Sequence, residues 1–330
     1  PDTVAQWTDR IRAQVTNLLP LQGDNPARIV NNLDWTRDVS AIAFLRDIGK
    51  HFSVARMLAK EAVSARMSDE GISYTEFSYQ ILQALDYLEL YRRYGTVLQT
   101  GGSDQWGNLT AGVDLIRRAE GASVHALATP LITRADGTKY GKTEAGAVWL
   151  DPAMTSPYAF YQYFLNQADA DVGALLRTFS FRSRTEIEEL ERATAERPEA
   201  RAAQQILASD LTALLHGDDE ARRAVAASQA IFGQGELREL DVAALESVAA
   251  ALPGATLDGE MPGAAELLVR TGLARSRSDA RRVVAEGGAY LNNVRVSAAE
   301  QVPAEGDLLH GRWLVVRRGK RNVALAEVRR

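Results

Sequence analysis

The chain contains no cysteine. That excludes disulfides and thiolate metal sites, and it is compatible with a reducing compartment. No apolar run approaches the roughly 18 residues that a membrane-spanning helix needs. The start shows no charged-then-apolar leader pattern. Neither a G-x-x-x-x-G-K-[ST] phosphate loop nor a G-x-G-x-x-G followed by an acidic ribose ligand occurs. The histidines are few and scattered, at His51, His125, His216 and His310, so no metal-ligand cluster forms. What remains is ordinary globular material: 330 residues, 46% hydrophobic and 25% charged, enough for two or three domains.

Charge is unevenly placed. The net charge of −5 conceals a segment, 262–330, with 13 Lys+Arg against 7 Asp+Glu, while 1–261 holds 25 against 36. A basic tail on an acidic body suits a polyanion partner for the tail. A solvated surface explains it equally well.

Residues 1–130 alternate helical and short apolar segments. Ile42, Leu45, Ile48, Phe52 and Leu58 recur at helical intervals and predict a helix over 41–65. Residues 95–101 read as a short buried strand between glycines, and 108–120 as the helix that follows. Strand, ligand-facing turn and helix make up the layout of a doubly wound α/β sheet. Residues 158–232 are almost wholly helical in pattern, with Thr185 and Glu188 spaced as a capping box. Residues 234–261, small and acidic with Pro253, Gly254 and Gly259, read as a linker. Beyond them come two short helices, ended by Gly287-Gly288, and a hairpin with an Asn292-Asn293 turn.

Three groups of residues suit chemistry. Tyr79, Gln83 and Asp86 form one stripe of a helix whose neighbours Ile81, Leu82, Leu85 and Leu88 are apolar. Polar groups on a buried helix need partners; a ligand would serve, and spacing alone favours neighbouring elements instead. The run Gly101-Gly102-Ser103-Asp104-Gln105-Trp106-Gly107-Asn108 combines flexible backbone with a carboxylate and amides, which suits a wall against a polar ligand. It also suits a structural turn around Trp106. Lys139-Tyr140-Gly141-Lys142-Thr143 places two ammonium groups around a glycine, as a loop closing on phosphates would. An isolated K-x-x-K usually means nothing more than a solvated loop.

Together, in this order, these segments resemble the bacterial tyrosyl-tRNA synthetases, whose lysine loop commonly reads KFGKT. The resemblance runs over essentially the whole chain. It implies an α/β doubly wound nucleotide-binding fold, incomplete at its N-terminus, over 1–130. The lysine loop and connection then occupy 131–157, an α-helical tRNA-binding domain 158–233, a linker 234–261 and a small α/β S4-like RNA-binding domain 262–330. It implies that Tyr79, Gln83, Asp86, Gln105 and Asn32 bind tyrosine and that Gly102, Asp104 and Lys142 bind the adenylate. Lys139, Lys142 and Thr143 would act catalytically on the phosphates of ATP, which brings Mg2+. Arg275, Arg277, Arg281, Arg282, Arg295, Arg317, Arg318, Lys320 and Arg321 would meet RNA. The implied enzyme is a cytoplasmic homodimer that activates tyrosine and charges tRNA(Tyr). A tryptophan-specific relative is disfavoured by Asp86 and the S4-like tail. A non-catalytic RNA-binding protein with a degenerate synthetase body is the alternative of another class. Class I enzymes also carry a His-Ile-Gly-His-like element, and none occurs here, so the expectation is a chain that lacks its first segment.

Overall fold

The computed structural model describes residues 2–58, 71, 73–138, 140, 142, 143 and 146–329. It divides into two compact units, 21–140 and 1–20 with 141–330.

Helix α1 (Asp2–Thr16) opens the second of these and buries no residue. Within 21–140, α2 (Leu33–Thr36) carries the buried Trp35. The long helix read over 41–65 is broken. Ser40 caps α3 (Ala41–Ala43), a π turn spans Phe44–Ile48, a 3-10 turn spans Gly49–His51, and α4 (Val54–Leu58) follows. The apolar spacing was helical, but Gly49 and Ser53 interrupt it, and residues 59–65 lie outside the described set. Helix α5 (Tyr74–Tyr94) starts at a capping box made by Ser73 and Glu76, and ends at Gly95 with φ 67°. Such a left-handed stop is a glycine position.

Strand β1 (Leu98–Gly102) leads through a 3-10 turn at Ser103–Gln105 into α6 (Trp106–Glu120), and β2 (His125–Thr129) returns parallel to β1. This is a βαβ unit. The strand read as buried is only partly so: α6 packs against the pair, while Leu98 and Leu127 stand about half exposed. The core of the unit gathers Ile48 with Ala84, Leu85, Tyr87 and Leu88 of α5 and Ala111, Leu115 and Ile116 of α6. The helices meet closely at Gly112, where an added Cβ would lie 2.8 Å from Cδ1 of Tyr87. Tyr87 is fully buried, and its hydroxyl donates to the His125 carbonyl at 2.9 Å. Burial pushes its phenol up. One side chain thus ties α5 to both α6 and β2.

The other unit holds the short hairpin β3 (Lys142–Thr143) and β4 (Gly146–Ala147). Five helices follow: α7 (Pro157–Leu165), α8 (Asp169–Phe179), α9 (Arg184–Glu196), α10 (Ala202–His216) and α11 (Asp218–Ile231). The capping box of α9 is Ser183 with Glu186, not Thr185 with Glu188. Both pairs have the same spacing, and the chain turns at the earlier one.

Residues 234–261, read as a linker, contain α12 (Val242–Ala249) and β5 (Gly254–Leu257). Their small residues masked Leu240, Leu245, Val248 and Leu257, all buried. Helices α13 (Ala264–Arg270) and α14 (Arg277–Ala285) come next. Strands β6 (Ala289–Leu291), β7 (Val294–Arg295), β8 (Trp313–Arg318) and β9 (Asn322–Val328) join β5 in a sheet ordered β5-β9-β8-β6-β7. The β6–β7 turn is the expected Asn292-Asn293 pair, with φ of 45° and 65°. Successive residues of β8 face opposite ways. Leu314 and Val316 join the core under α13 and α14, whereas Trp313 and Val315 pack with Tyr158, Ile231 and Leu245 of the helices.

Candidate functional site

Asp86 is the best-defined candidate. It lies half-buried on α5, one residue before Tyr87. Oδ1 accepts from Trp35 Nε1 at 2.8 Å, and Oδ2 accepts from Asn32 Nδ2 at 3.2 Å. Asn32 and Trp35 are three residues apart on the first turn of α2, so one short helix supplies both donors. Each carboxylate oxygen has a second lone pair, so Asp86 can still accept from a further donor. Trp35 is 5% exposed. Sequence reasoning reached Asn32 but gave Trp35 no role; the i, i+3 spacing of the two was the available signal.

Tyr79 and Gln83 share the stripe with Asp86. They make no side-chain hydrogen bond to another residue among those described. Tyr79 is 56% exposed, so this side of α5 is open, while Ala84, Leu85 and Leu88 on its other side are buried. The helix was expected to be substantially buried; in fact it is buried on one face only.

The glycine-rich segment forms the end of β1 and the entry to α6. A Cβ at Gly102 would meet Asp104 Oδ1 at 2.6 Å, so the absent side chain is what lets the Asp104 carboxylate lie over the backbone. Gln105 donates through Nε2 to Asp104 Oδ2 at 3.3 Å and accepts from Asn108 Nδ2 at 2.9 Å. The three polar side chains are therefore linked in a row. They stand at the carboxyl end of a parallel strand, where open α/β sheets bind ligands.

The lysine loop is led by a tight turn. Asp136 Oδ1 accepts from the Thr138 amide at 2.9 Å and its hydroxyl at 2.7 Å, and these bonds hold the carboxyl below its usual range. Gly137 takes φ 82°, and the Tyr140 amide donates to Ile132 O. Lys139 and Gly141 lie outside the described residues. Lys142 and Thr143 are placed as backbone in β3, and their side chains also lie outside what is described.

The nine basic residues read as RNA-facing differ in their surroundings. Arg277, Arg281 and Arg282 are well exposed and pair with Glu266, Glu300 and Asp279. The Arg275 amide donates to Asp279. Arg295 lies against Gly287. Arg317 stacks on Tyr290 and donates to Phe232 O, and Arg318 donates to Asp279 and Leu273 O, so both point into protein. Lys320 and Arg321 line a cavity of about 890 Å³, shared with Arg182, Arg201 and Asp210. No helix among the described residues is long and apolar enough to cross a membrane.

Comparison with known proteins gives the family. The family model for tRNA synthetases class I (W and Y) matches residues 2–233, and that for the tyrosine–tRNA ligase SYY-like C-terminal domain matches residues 244–326. The tyrosine–tRNA ligase of Streptomyces avermitilis is 62% identical over 329 residues, covering 99% of this chain and 78% of the relative. That of Mycobacterium bovis is 56% identical over 333 residues, with the same coverage of 99% and 78%. A crystal structure of a C-terminally truncated mitochondrial tyrosyl-tRNA synthetase from Coccidioides posadasii superposes with a TM-score of 0.54 at 32% identity, over 65% of this chain and 64% of that one. Identity of this degree over nearly every residue goes beyond a shared fold, and the chain belongs to the class I tRNA synthetases, in their tyrosyl-tRNA synthetase family.

Proposed function

We propose that the chain performs tyrosine–tRNA ligation, and that Asp86 is the group that selects tyrosine. A tyrosine carboxylate oxygen attacks the α-phosphorus of MgATP, the bond to pyrophosphate breaks, and tyrosyl-adenylate forms. A hydroxyl of the terminal tRNA ribose then takes the tyrosyl group, and AMP leaves. The observation that carries the reading is the Asp86 carboxylate, fixed by Trp35 and Asn32 beside an open face of α5. A carboxylate so held is oriented before substrate arrives, and its remaining lone pairs suit a phenolic hydroxyl.

In this reading Tyr79 and Gln83 face the substrate ammonium. Gln105 faces the reacting carboxylate, and Asp104, laid over Gly102, takes the ribose. Lys139, Lys142 and Thr143 meet the leaving pyrophosphate, where negative charge grows in the transition state. No covalent enzyme intermediate is required; positioning and charge do the work. A purely RNA-binding role has no need of the Asp86 arrangement. High identity to named ligases favours the enzyme.

The test is Asp86→Ala, with tyrosine and phenylalanine activation followed by pyrophosphate exchange. Phenylalanine would leave the remaining lone pairs of the half-buried Asp86 carboxylate without the tyrosine hydroxyl, and leaving such a group unsatisfied costs about 1–3 kcal/mol. The tyrosine-over-phenylalanine ratio of kcat/KM should therefore narrow in the folded variant by about tenfold or more. A ratio that survives would remove Asp86 from the specificity site.

The C-terminal domain grips tRNA through Arg277, Arg281 and Arg282, whose side chains are open to solvent. Each phosphate contact adds about one to the slope of log affinity against log salt. Changing Arg277 and Arg281 to Gln should lower that slope for tRNA by about one to two. An unaltered slope would assign the grip to other residues.

A further inference from the structure

Trp35 holds Asp86, and Trp35 is itself held. The Arg93 guanidinium carbon lies 5.6 Å from the centroid of the Trp35 ring. Arg93 stands seven residues after Asp86 on α5, on the same side of the helix. Its Nε donates to Glu89 Oε2 at 3.0 Å. Glu89 also accepts from Arg92 at 3.1 Å, and Arg92 donates to Glu120 at 2.6 Å, at the end of α6. The Glu89 side chain is 16% exposed and that of Arg93 44%. A chain of polar contacts therefore runs from α6 through Glu120, Arg92, Glu89 and Arg93 to the indole whose N–H meets the candidate specificity carboxylate.

An ordinary exposed Glu–Arg pair at this helical spacing contributes little. Here the pair fixes a cation against an aromatic ring. A cation within about 6 Å of an indole is attracted to the ring. It also draws electron density from it, which makes the indole N–H a better donor. That N–H points at Asp86 Oδ1.

We propose that Arg93 is a positioning residue for tyrosine selection: held by Glu89, it clamps Trp35 and strengthens the indole hydrogen bond that orients Asp86. This rests on the reading of Asp86 as acceptor of the tyrosine hydroxyl. Arg93 touches no substrate and acts through Trp35 alone. Its effect should fall on the amino acid that needs Asp86 and spare the one that does not.

The test compares Arg93→Met, Arg93→Lys and Trp35→Phe in the complete protein, with the double variant of Arg93→Met and Trp35→Phe, by pyrophosphate exchange. Arg93→Met keeps the length and loses the charge. It should lower kcat/KM for tyrosine about two- to fivefold, the range a partly exposed cation–ring contact supports. It should leave phenylalanine and the KM for ATP unchanged. Arg93→Lys should recover most of the loss. Trp35→Phe keeps a ring but removes the N–H, so Arg93→Met added to it should have no further effect on tyrosine, a non-additivity that indirect action requires. Equal losses for both amino acids, additive losses, or no loss at all would each overturn the proposal. Asp86→Ala run alongside separates the two levels. If it narrows the tyrosine-over-phenylalanine ratio and Arg93→Met does not, the clamp is wrong and the acceptor stands. If Asp86→Ala leaves the ratio intact, the acceptor reading fails and the clamp with it.

Discussion

At the scale of single residues, the roles proposed for Asp86 and Lys142 call for opposite kinds of chemistry. Asp86 is fixed in advance by two donors. Lys142 lies in a two-residue strand, and the role proposed for it is a contact made late. A cation that reaches pyrophosphate only in the transition state raises the rate without tightening substrate binding. Lys142→Ala should therefore slow adenylate formation by about 2–4 kcal/mol of activation energy, by analogy with the loss of one group that stabilises transition-state charge. Tyrosine affinity should hold. Pre-steady-state rates measure the first and equilibrium binding the second; the converse result would place Lys142 in the amino acid pocket. Asp86 and Lys142 are candidates from the sequence because their neighbours follow a family pattern. Trp35 could not be given a role, because nothing in a string of letters says that an indole N–H lies 2.8 Å from a carboxylate fifty-one positions on. Arg318 shows the converse: it reads as one more exposed cation, but Asp279 and the Leu273 carbonyl take its N–H groups.

At the scale of elements, the site depends on how α5 is seated. Tyr87 leans on Gly112 and bonds to the first residue of β2. Gly112→Ala would put a methyl 2.8 Å from a fully buried ring. Overpacking of this kind costs about 1–3 kcal/mol. The variant should unfold at lower denaturant concentration. It should also activate tyrosine less well, because Asp86 precedes Tyr87 and moves with it. Unchanged stability together with unchanged activation would show that the contact relaxes freely. The element types were mostly legible. Turn residues marked the Asn292-Asn293 hairpin, and Gly287 marked the end of α14. The misreadings have one cause. A period of apolar residues does not reveal interruptions at Gly49 and Ser53, and small residues around Leu245 and Leu257 hide a helix and a strand whose burial comes from distant partners.

At the scale of the whole molecule, the C-terminal sheet and the preceding helices share a core. Leu309, Trp313, Val315, Val323 and Leu325 pack with Tyr158, Ile231 and Leu245. Polar contacts close the seam: Asn293 donates to Ala230 O at 2.7 Å, and Arg238 to Gly306 O at 2.8 Å. Trp313 is 1% exposed, and losing a buried Trp costs about 3–5 kcal/mol. Trp313→Ala should therefore destabilise the helices together with the sheet, in one transition seen alike by helical circular dichroism and by proteolysis of the C-terminal region. Two separate transitions, with the helices unmoved, would mean that the seam is only a weak contact. Sequence alone suggested a tether here, because alternation along β8 does not say what each side faces.

The shared wall has a metrical consequence. Arg277 and Arg281 lie on the body that α13 and α14 build, and Arg182 and Arg201 stand just ahead of α9 and α10. Because the sheet and the preceding helices share one core, the span from one set of cations to the other is set by the folded protein. The pair works as a caliper with locked jaws, and any polyanion that reaches both must bring the matching length, or bend to supply it.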